Sequence, residues 1–477
     1  MNVLVRMRAW TIAFVIASFA VLYLLAVPAY WKLTPDSATY VLAGESLASV
    51  GRYHEWNGRV YLYPPGTSLL FAVGWMIGGG RYWVLNAEVA SAAIGAMLFC
   101  FLLFRRTLRF GSAVVVLLSI GSALLFESST FLLSDIFFLL ASMIALWLWQ
   151  RGSTAGTAIA LLASCAIRLI GITLAAAILV DSVLRRKWRD ALATLPAILF
   201  TAGWELRNRR AGISHIGLML ENDPWVPSHG RVSMAAMLER IIANLGSFRD
   251  LGAILTNTRT GWAVVTIPIL VLLAMGMVRM WTTERVLVIY AVIFMAAVLC
   301  YHPWIETRWL LPLIPVLFCF LFCGVDWTAT SLGRTWTWSI AGVLIGLYLV
   351  AGLHRDLTLV RAARNPQFAS EGVTLVDHED LQRLALWWKA NSTQSEVYAC
   401  QHPSLLRVIT SRAGVVYPFP AGLDGFEAEL AQRGVRYLFL DMDSDWDAHA
   451  VLPLVGRSRR WTLVKADGRA LLYQFKY

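Results

Sequence analysis

Charge is scarce in this sequence of 477 residues: Asp, Glu, Lys and Arg make up 15% of it, against roughly 25% in soluble domains. That shortage excludes an ordinary soluble enzyme and a disordered chain. Cysteine is also sparse, six residues in all, which excludes a disulfide scaffold. Cys100, Cys165, Cys300, Cys319 and Cys323 fall in apolar runs, where a free thiol behaves as a small hydrophobe. Cys319 and Cys323 share a helix face, a spacing that carries little metal or redox signal alone. Cys400 stands alone in the polar C-terminal region, so no disulfide forms within it. No glycine-rich phosphate loop appears, and no small-residue cleavage pattern follows the first apolar stretch, 10–27. With Arg6 and Arg8 ahead of it, that stretch reads as a retained signal anchor.

What is present is apolar length. Hydrophobic residues make up 58% and mean hydropathy is +0.61. The apolar runs approach the roughly 18 to 22 residues that a helix needs to cross about 30 Å of hydrocarbon. The 21 Trp suit many interfacial anchors, because indole favours the headgroup level. A net charge of +11 does not point to nucleic acid, since the basic residues form short clusters at span ends and no stripe. The expected fold class is therefore an α-helical polytopic membrane protein. Candidate spans are 9–30, 83–104, 112–128, 131–149, 155–167, 170–184, 190–205, 261–280, 285–301, 309–325 and 336–353. The fifth and sixth are too short to cross singly, and read as a helical hairpin that turns partway into the membrane.

Basic clusters at Arg6/Arg8, Arg105–Arg106–Arg109, Arg151, Arg185–Arg186–Lys187–Arg189, Arg279/Arg285 and Arg334 fall on alternate connections, which the positive-inside rule assigns to the cytoplasm. About eleven crossings then leave the C-terminus outside, together with the connections 31–82 and 206–260. Composition shifts near His354, giving a membrane domain over 1–353 and a small extracytoplasmic domain over 354–477. In the tail, 377–391 reads as an amphipathic helix, 397–400 as a strand and 423–433 as a helix. A buried-strand run follows over 435–440, with further strands at 461–465 and 471–475. This alternation predicts a small α/β domain. It shows no metal-ligand spacing, so an accessory or acceptor-docking role is expected for it.

The first outer connection opens Thr34-Pro35-Asp36-Ser37-Ala38-Thr39-Tyr40. Thr34 suits an N-cap, Pro35 the first helical position and Gly51 the C-terminal stop. Asp36 in the first turn would favour the helix dipole by about 0.3–1 kcal/mol, which is a purely structural reading of it. Further on, Tyr61-Leu62-Tyr63-Pro64-Pro65-Gly66 breaks the chain before another apolar run. Arg168 and Asp135 lie in spans, where charge is costly unless paired or facing a wet cavity. They could form an internal ion pair. Glu127 is similarly placed.

Taken in order, these segments resemble the GT-C glycosyltransferases, in particular the branch of protein O-mannosyltransferases and lipid A aminoarabinose transferases. The resemblance rests on the acidic first loop with its Tyr-Pro-Pro-Gly and on Ser134-Asp135-Ile136-Phe137-Phe138. It extends to Arg168-Leu169-Ile170-Gly171, Trp204-Glu205-Leu206-Arg207-Asn208 and Glu306-Thr307-Arg308-Trp309-Leu310-Leu311-Pro312. It covers roughly the first 353 residues. The resemblance implies transfer of a sugar from a polyprenyl-phosphate donor to a hydroxyl of a glycan, lipid or protein on the outer face of the membrane. It also implies inversion, Asp36 as general base and Arg308 with Arg168 at the donor phosphate. Without it, Arg308 would pass as an interfacial snorkelling Arg. Tyr40, Tyr63, Asp135, Glu127, Arg207, His302 and Glu306 complete the candidate site. His302 and Glu306 are four apart and could share a metal, but no cofactor is required by the expected reaction and a divalent metal is not indicated. The sequence departs from the family in two places. Asp36 is followed by Ser37 where mannosyltransferases show a second acid, and Tyr63 stands where the aminoarabinose enzymes carry Lys, so neither substrate carries over. The resemblance also implies a bacterial inner membrane.

The main rival reading is a transporter or flippase of lipid-linked sugars, which would show the broken hairpin twice, in two halves. Only one such hairpin is visible. An envelope-polymer ligase would rely on a large late loop, and a non-catalytic scaffold has no need of intramembrane Arg168 and Asp135.

Overall fold

The computed structural model describes residues 3–53, 62–108, 111–212, 214–222, 230–246, 249–258, 263–301, 306–332, 334–365, 372–376, 378–418 and 422–476. His302, Tyr61, Arg109 and Asp377 lie outside the described residues. Two compact units divide the chain: Met1–Ala29 with Ala43–Asn365, and Tyr30–Leu42 with Pro366–Tyr477.

The first unit is helical. Its helices are α1 (Val3–Leu25), α3 (Gly66–Gly78), α4 (Tyr82–Leu108), α5 (Gly111–Ile120), α6 (Ala123–Ser128), α7 (Ser134–Gln150), α8 (Thr154–Ile167) and α9 (Ile172–Leu184). Then come α10 (Trp188–Ala191), α11 (Leu195–Arg210), α12 (His215–Met219), α13 (Met234–Gly246), α14 (Arg249–Thr256), α15 (Ala263–Thr283), α16 (Arg285–Tyr301), α17 (Ile314–Leu332) and α18 (Arg334–Ala363). The helix α2 (Pro35–Val50) begins in the second unit's share of the chain and ends in the first's. Among the described residues four helices are long and apolar enough to cross a membrane, and seven shorter apolar helices accompany them.

Polar bonds gather the clusters of Arg106, Arg185 and Arg279/Arg285 at one end of this unit. Arg106 donates to the Gln150 carbonyl (3.3 Å), and the Gln150 and Thr107 side chains donate to Glu284. Arg185 and Arg285 both pair with the buried Asp181, each at 2.9 Å. Arg279 holds Asp326 of α17 at 2.7 Å. This is the grouping that the alternation of basic connections predicts.

Three expected spans are interrupted, 190–205 by a 3-10 turn over Leu192–Thr194 between α10 and α11. The run 112–128 bends at Gly121–Ser122, between α5 and α6. The Asn257 side chain accepts from Ala123 N–H (2.9 Å) and donates to the Gly121 carbonyl (2.8 Å), satisfying groups that a broken helix leaves bare. The run 309–325 opens with a 3-10 stretch, Thr307–Leu313, because Pro312 has no N–H to give. The two short helices of the expected hairpin are present, joined by a 3-10 turn. Thr154, at the start of α8, bonds Asp190, and α9 ends beside Asp181, so the two helices run out from the basic end and back.

The second unit contains a five-stranded sheet in the order β4-β3-β5-β7-β6, with β3 (Val397–Cys400), β4 (Gly414–Val416), β5 (Val435–Asp441), β6 (Trp461–Asp467) and β7 (Ala470–Phe475). The first three strands are parallel, and β6 and β7 add as an antiparallel hairpin. Helix α19 (Glu379–Asn391) precedes β3, while α20 (Pro403–Thr410) connects β3 to β4 and α21 (Leu423–Gln432) connects β4 to β5. Trp388 of α19 is fully buried against the rings of Tyr398, Tyr437 and Phe439. A separate parallel pair joins β1 (Trp31–Leu33), which follows α1 in the chain, to β2 (Val373–Leu375). This pairing is why the segment carrying Asp36 belongs to the tail's unit.

Candidate functional site

Helix direction decides which residues share the end of the first unit opposite the basic clusters. The helix α7 finishes at Gln150 in the basic end and therefore starts, with Asp135, at the far one. By the same reasoning the Arg168 end of α8 and the Arg308 end of the α17 segment lie there too.

Arg168 stands in extended backbone between Ile167 and a 3-10 turn over Leu169–Gly171. A side chain at Gly171 would collide with Ser164, its Oγ only 2.7 Å from the added carbon, so this turn requires glycine. Arg168 pairs with the almost wholly buried Asp135. The internal ion pair considered from sequence is therefore present, and it orients a guanidinium that remains about a quarter exposed. Glu127 pairs with Arg355 of α18 at 2.5 Å, which ties α6 to α18. Glu306 pairs with Arg308 two residues on, and both stay solvent-accessible.

The aromatic stretch of the first loop is pinned by α11. The Trp204 indole and the Asn208 amide both donate to the Leu62 carbonyl, each at 3.0 Å. The Tyr53 hydroxyl donates to the Tyr63 carbonyl (3.0 Å). Arg207 lies over the Trp204 ring at 4.2 Å and donates to Asn208 Oδ1 (3.0 Å). Tyr63 packs against His215, ring centroids 6.0 Å apart. His215 follows Ser214, whose hydroxyl caps α12 by accepting from Gly217 N–H and bonds Glu205. Burial lowers the His215 pKa, with the nearby Glu205 opposing and Arg168 adding to the shift. Tyr63 and His215 thus pack together, and Arg168 acts electrostatically on His215. His215 was missed from sequence, because a single His in a long polar connection carries no pattern.

Asp36 and Tyr40 belong to the second unit. Thr34 is the expected N-cap: its Oγ1 accepts from Ser37 N–H (3.2 Å), and Ser37 Oγ accepts from Thr34 N–H (2.8 Å). This reciprocal capping box fixes the first turn of α2. The Trp31 indole also donates to Ser37 Oγ (3.1 Å), locking the turn to β1. The helix ends at Gly51, whose φ of 67° confirms the expected stop. Asp36 is partly exposed, while Tyr40 is buried. Asp36 acts electrostatically on His402, which burial pushes down to about 4 although Asp36 and Asp441 oppose the shift.

No sequence-family model and no curated protein matches the chain. Solved structures do. The lipid A aminoarabinose transferase ArnT from Cupriavidus metallidurans, in the apo state, superposes with a TM-score of 0.59 at 14% identity, over 98% of each chain. The same protein bound to undecaprenyl phosphate gives 0.58 at 14% identity, again over 98% of each. An Archaeoglobus fulgidus oligosaccharyltransferase, tethered to an acceptor peptide containing an NVT sequon, gives 0.54 at 12% identity, over 98% of this chain and 74% of its own. The chain is an α-helical polytopic membrane protein with the GT-C fold, followed by a small C-terminal α/β domain.

Proposed function

We infer that this chain is a membrane glycosyltransferase that moves a sugar from a polyprenyl-phosphate donor to a hydroxyl acceptor on the outer face of the membrane, with inversion. The observation that carries the reading is the GT-C fold across nearly the whole chain, one such structure holding undecaprenyl phosphate. Arg168, Arg308 and Arg207 at the end opposite the basic clusters support it. The leaving group is a phosphate anion, stable once neutralised, and preorganised guanidinium groups in a low-dielectric site favour its departure without a proton donor. The acceptor hydroxyl is a weak nucleophile and gains from a carboxylate that takes its proton. Asp36 takes that role, held by the Thr34–Ser37 capping box. Arg308, with Arg168 behind it, binds the donor phosphate, and no cofactor is needed for this chemistry. The proposed setting is a bacterial inner membrane with the tail domain outside.

Incubating the purified protein with a panel of radiolabelled polyprenyl-phosphate sugars tests the reading. One donor should lose its label from the lipid fraction at a rate proportional to enzyme. Failure of every donor, with and without acceptor extracts, would reject it.

A further inference from the structure

The tail unit carries a second cluster that the transfer reaction does not use. Parallel strands present their carboxyl ends on one side, and in open α/β sheets that edge is where ligands bind. In the five-stranded sheet His402 comes two residues past β3 and β5 ends in Asp441, with Asp443 just beyond; His378 precedes α19, three residues past β2 of the separate pair. Residues distant in sequence are brought together there. His378 Nδ1 lies 2.6 Å from Asp441 Oδ2, and one ligand atom from each of His378, Asp441 and Asp443 falls within 4.8 Å of the others. The backbone N–H of Asp443 donates to Asp441 Oδ1 (3.1 Å), which fixes the orientation of that carboxylate. His402 is partly buried and responds electrostatically to Asp36, His378 and Asp441.

We propose that His378, Asp441 and Asp443 form a binding site for a divalent transition-metal ion in the tail domain. One imidazole nitrogen and two carboxylate oxygens suit Zn2+ or Mn2+, with water completing the shell. Ligands around such an ion bind at about 2.0–2.2 Å and so stand roughly 3–4 Å apart. Only a small closure of the exposed Asp443 is then required. Two present contacts yield on binding: the ion comes between His378 Nδ1 and Asp441 Oδ2, and it replaces Arg469 as the partner of Asp443.

The test uses the full chain in detergent, stripped with chelator and dialysed against 65Zn2+. One ion per chain is expected. Asp443→Asn preserves shape at an exposed position and should weaken uptake roughly tenfold or more. His378→Gln should abolish it, and His449→Ala, an exposed histidine elsewhere in the tail, should leave it intact. Melting curves of each variant report that it is folded. Absence of stoichiometric uptake, or uptake unchanged in folded Asp443→Asn and His378→Gln proteins, would overturn the assignment. The readout is binding alone, so it stands or fails independently of the glycosyl-transfer reading.

Discussion

Asp36 occupies the second residue of α2, and the Thr34–Ser37 hydrogen bonds form its turn without using its carboxylate. The neutral amide of Asp36→Asn should therefore cost less than about 1 kcal/mol of helix-dipole stabilisation. If Asp36 is the base, turnover should fall roughly 100-fold or more while donor affinity holds. Wild-type turnover in the folded variant would move the role to another carboxylate, Glu45 or Asp135 first. Arg168 and Asp135 behave differently, because each is the other's partner in a buried setting. Asp135→Ala removes the buried carboxylate that holds the partly exposed Arg168 and should destabilise the protein by about 1–3 kcal/mol. The double variant Asp135→Ala, Arg168→Met should recover much of that stability yet bind donor weakly. Recovery of stability together with normal donor affinity would make the pair purely structural.

Elements differ in how openly the sequence declares them. The helix α16, Arg285–Tyr301, and the strand β3, Val397–Cys400, match their expected limits, because an uninterrupted apolar run in one case and a short β-rich run in the other leave little choice. The capping residues of α2 were equally legible, since capping is local chemistry. The break between α5 and α6 was not, because the group that satisfies it, Asn257, lies far along the chain. The strands β1 and β2 are three residues each and exist only through their mutual pairing. The cluster of His378, Asp441 and Asp443 is hidden for the same reason: no spacing rule spans it. The segment around Gly66 is intermediate. Tyr-Pro-Pro-Gly reads as a turn, but a side chain at Gly66 would stand 2.5 Å from the Ala166 carbonyl oxygen, two residues before Arg168. Gly66→Ala should therefore cost about 1–3 kcal/mol through overpacking and displace the Arg168 turn. A lowered melting temperature with weakened donor binding is expected, and an unchanged melt would show that the two helix ends are free to part.

At the scale of the whole molecule, topology and chemistry are linked. The basic clusters joined through Asp181 and Glu284 fix one end of the first unit, and the positive-inside rule orients it. With Cys300 replaced by Ser, an exposed cysteine at Arg457 should react with an impermeant maleimide in intact cells, and one at Lys187 should react only after lysis. The opposite pattern would reverse the orientation and put Asp36 on the wrong side for an outer-face reaction. Sugar transfer itself is tested most directly with a donor carrying 14C in the sugar and 32P in the phosphate, supplied to the protein in proteoliposomes. Transfer predicts that 14C leaves the donor for an acceptor while 32P stays with the lipid as polyprenyl phosphate, and that Asp36→Asn suppresses this separation. Two labels that remain on one molecule and merely change leaflet would contradict the account and indicate a transporter.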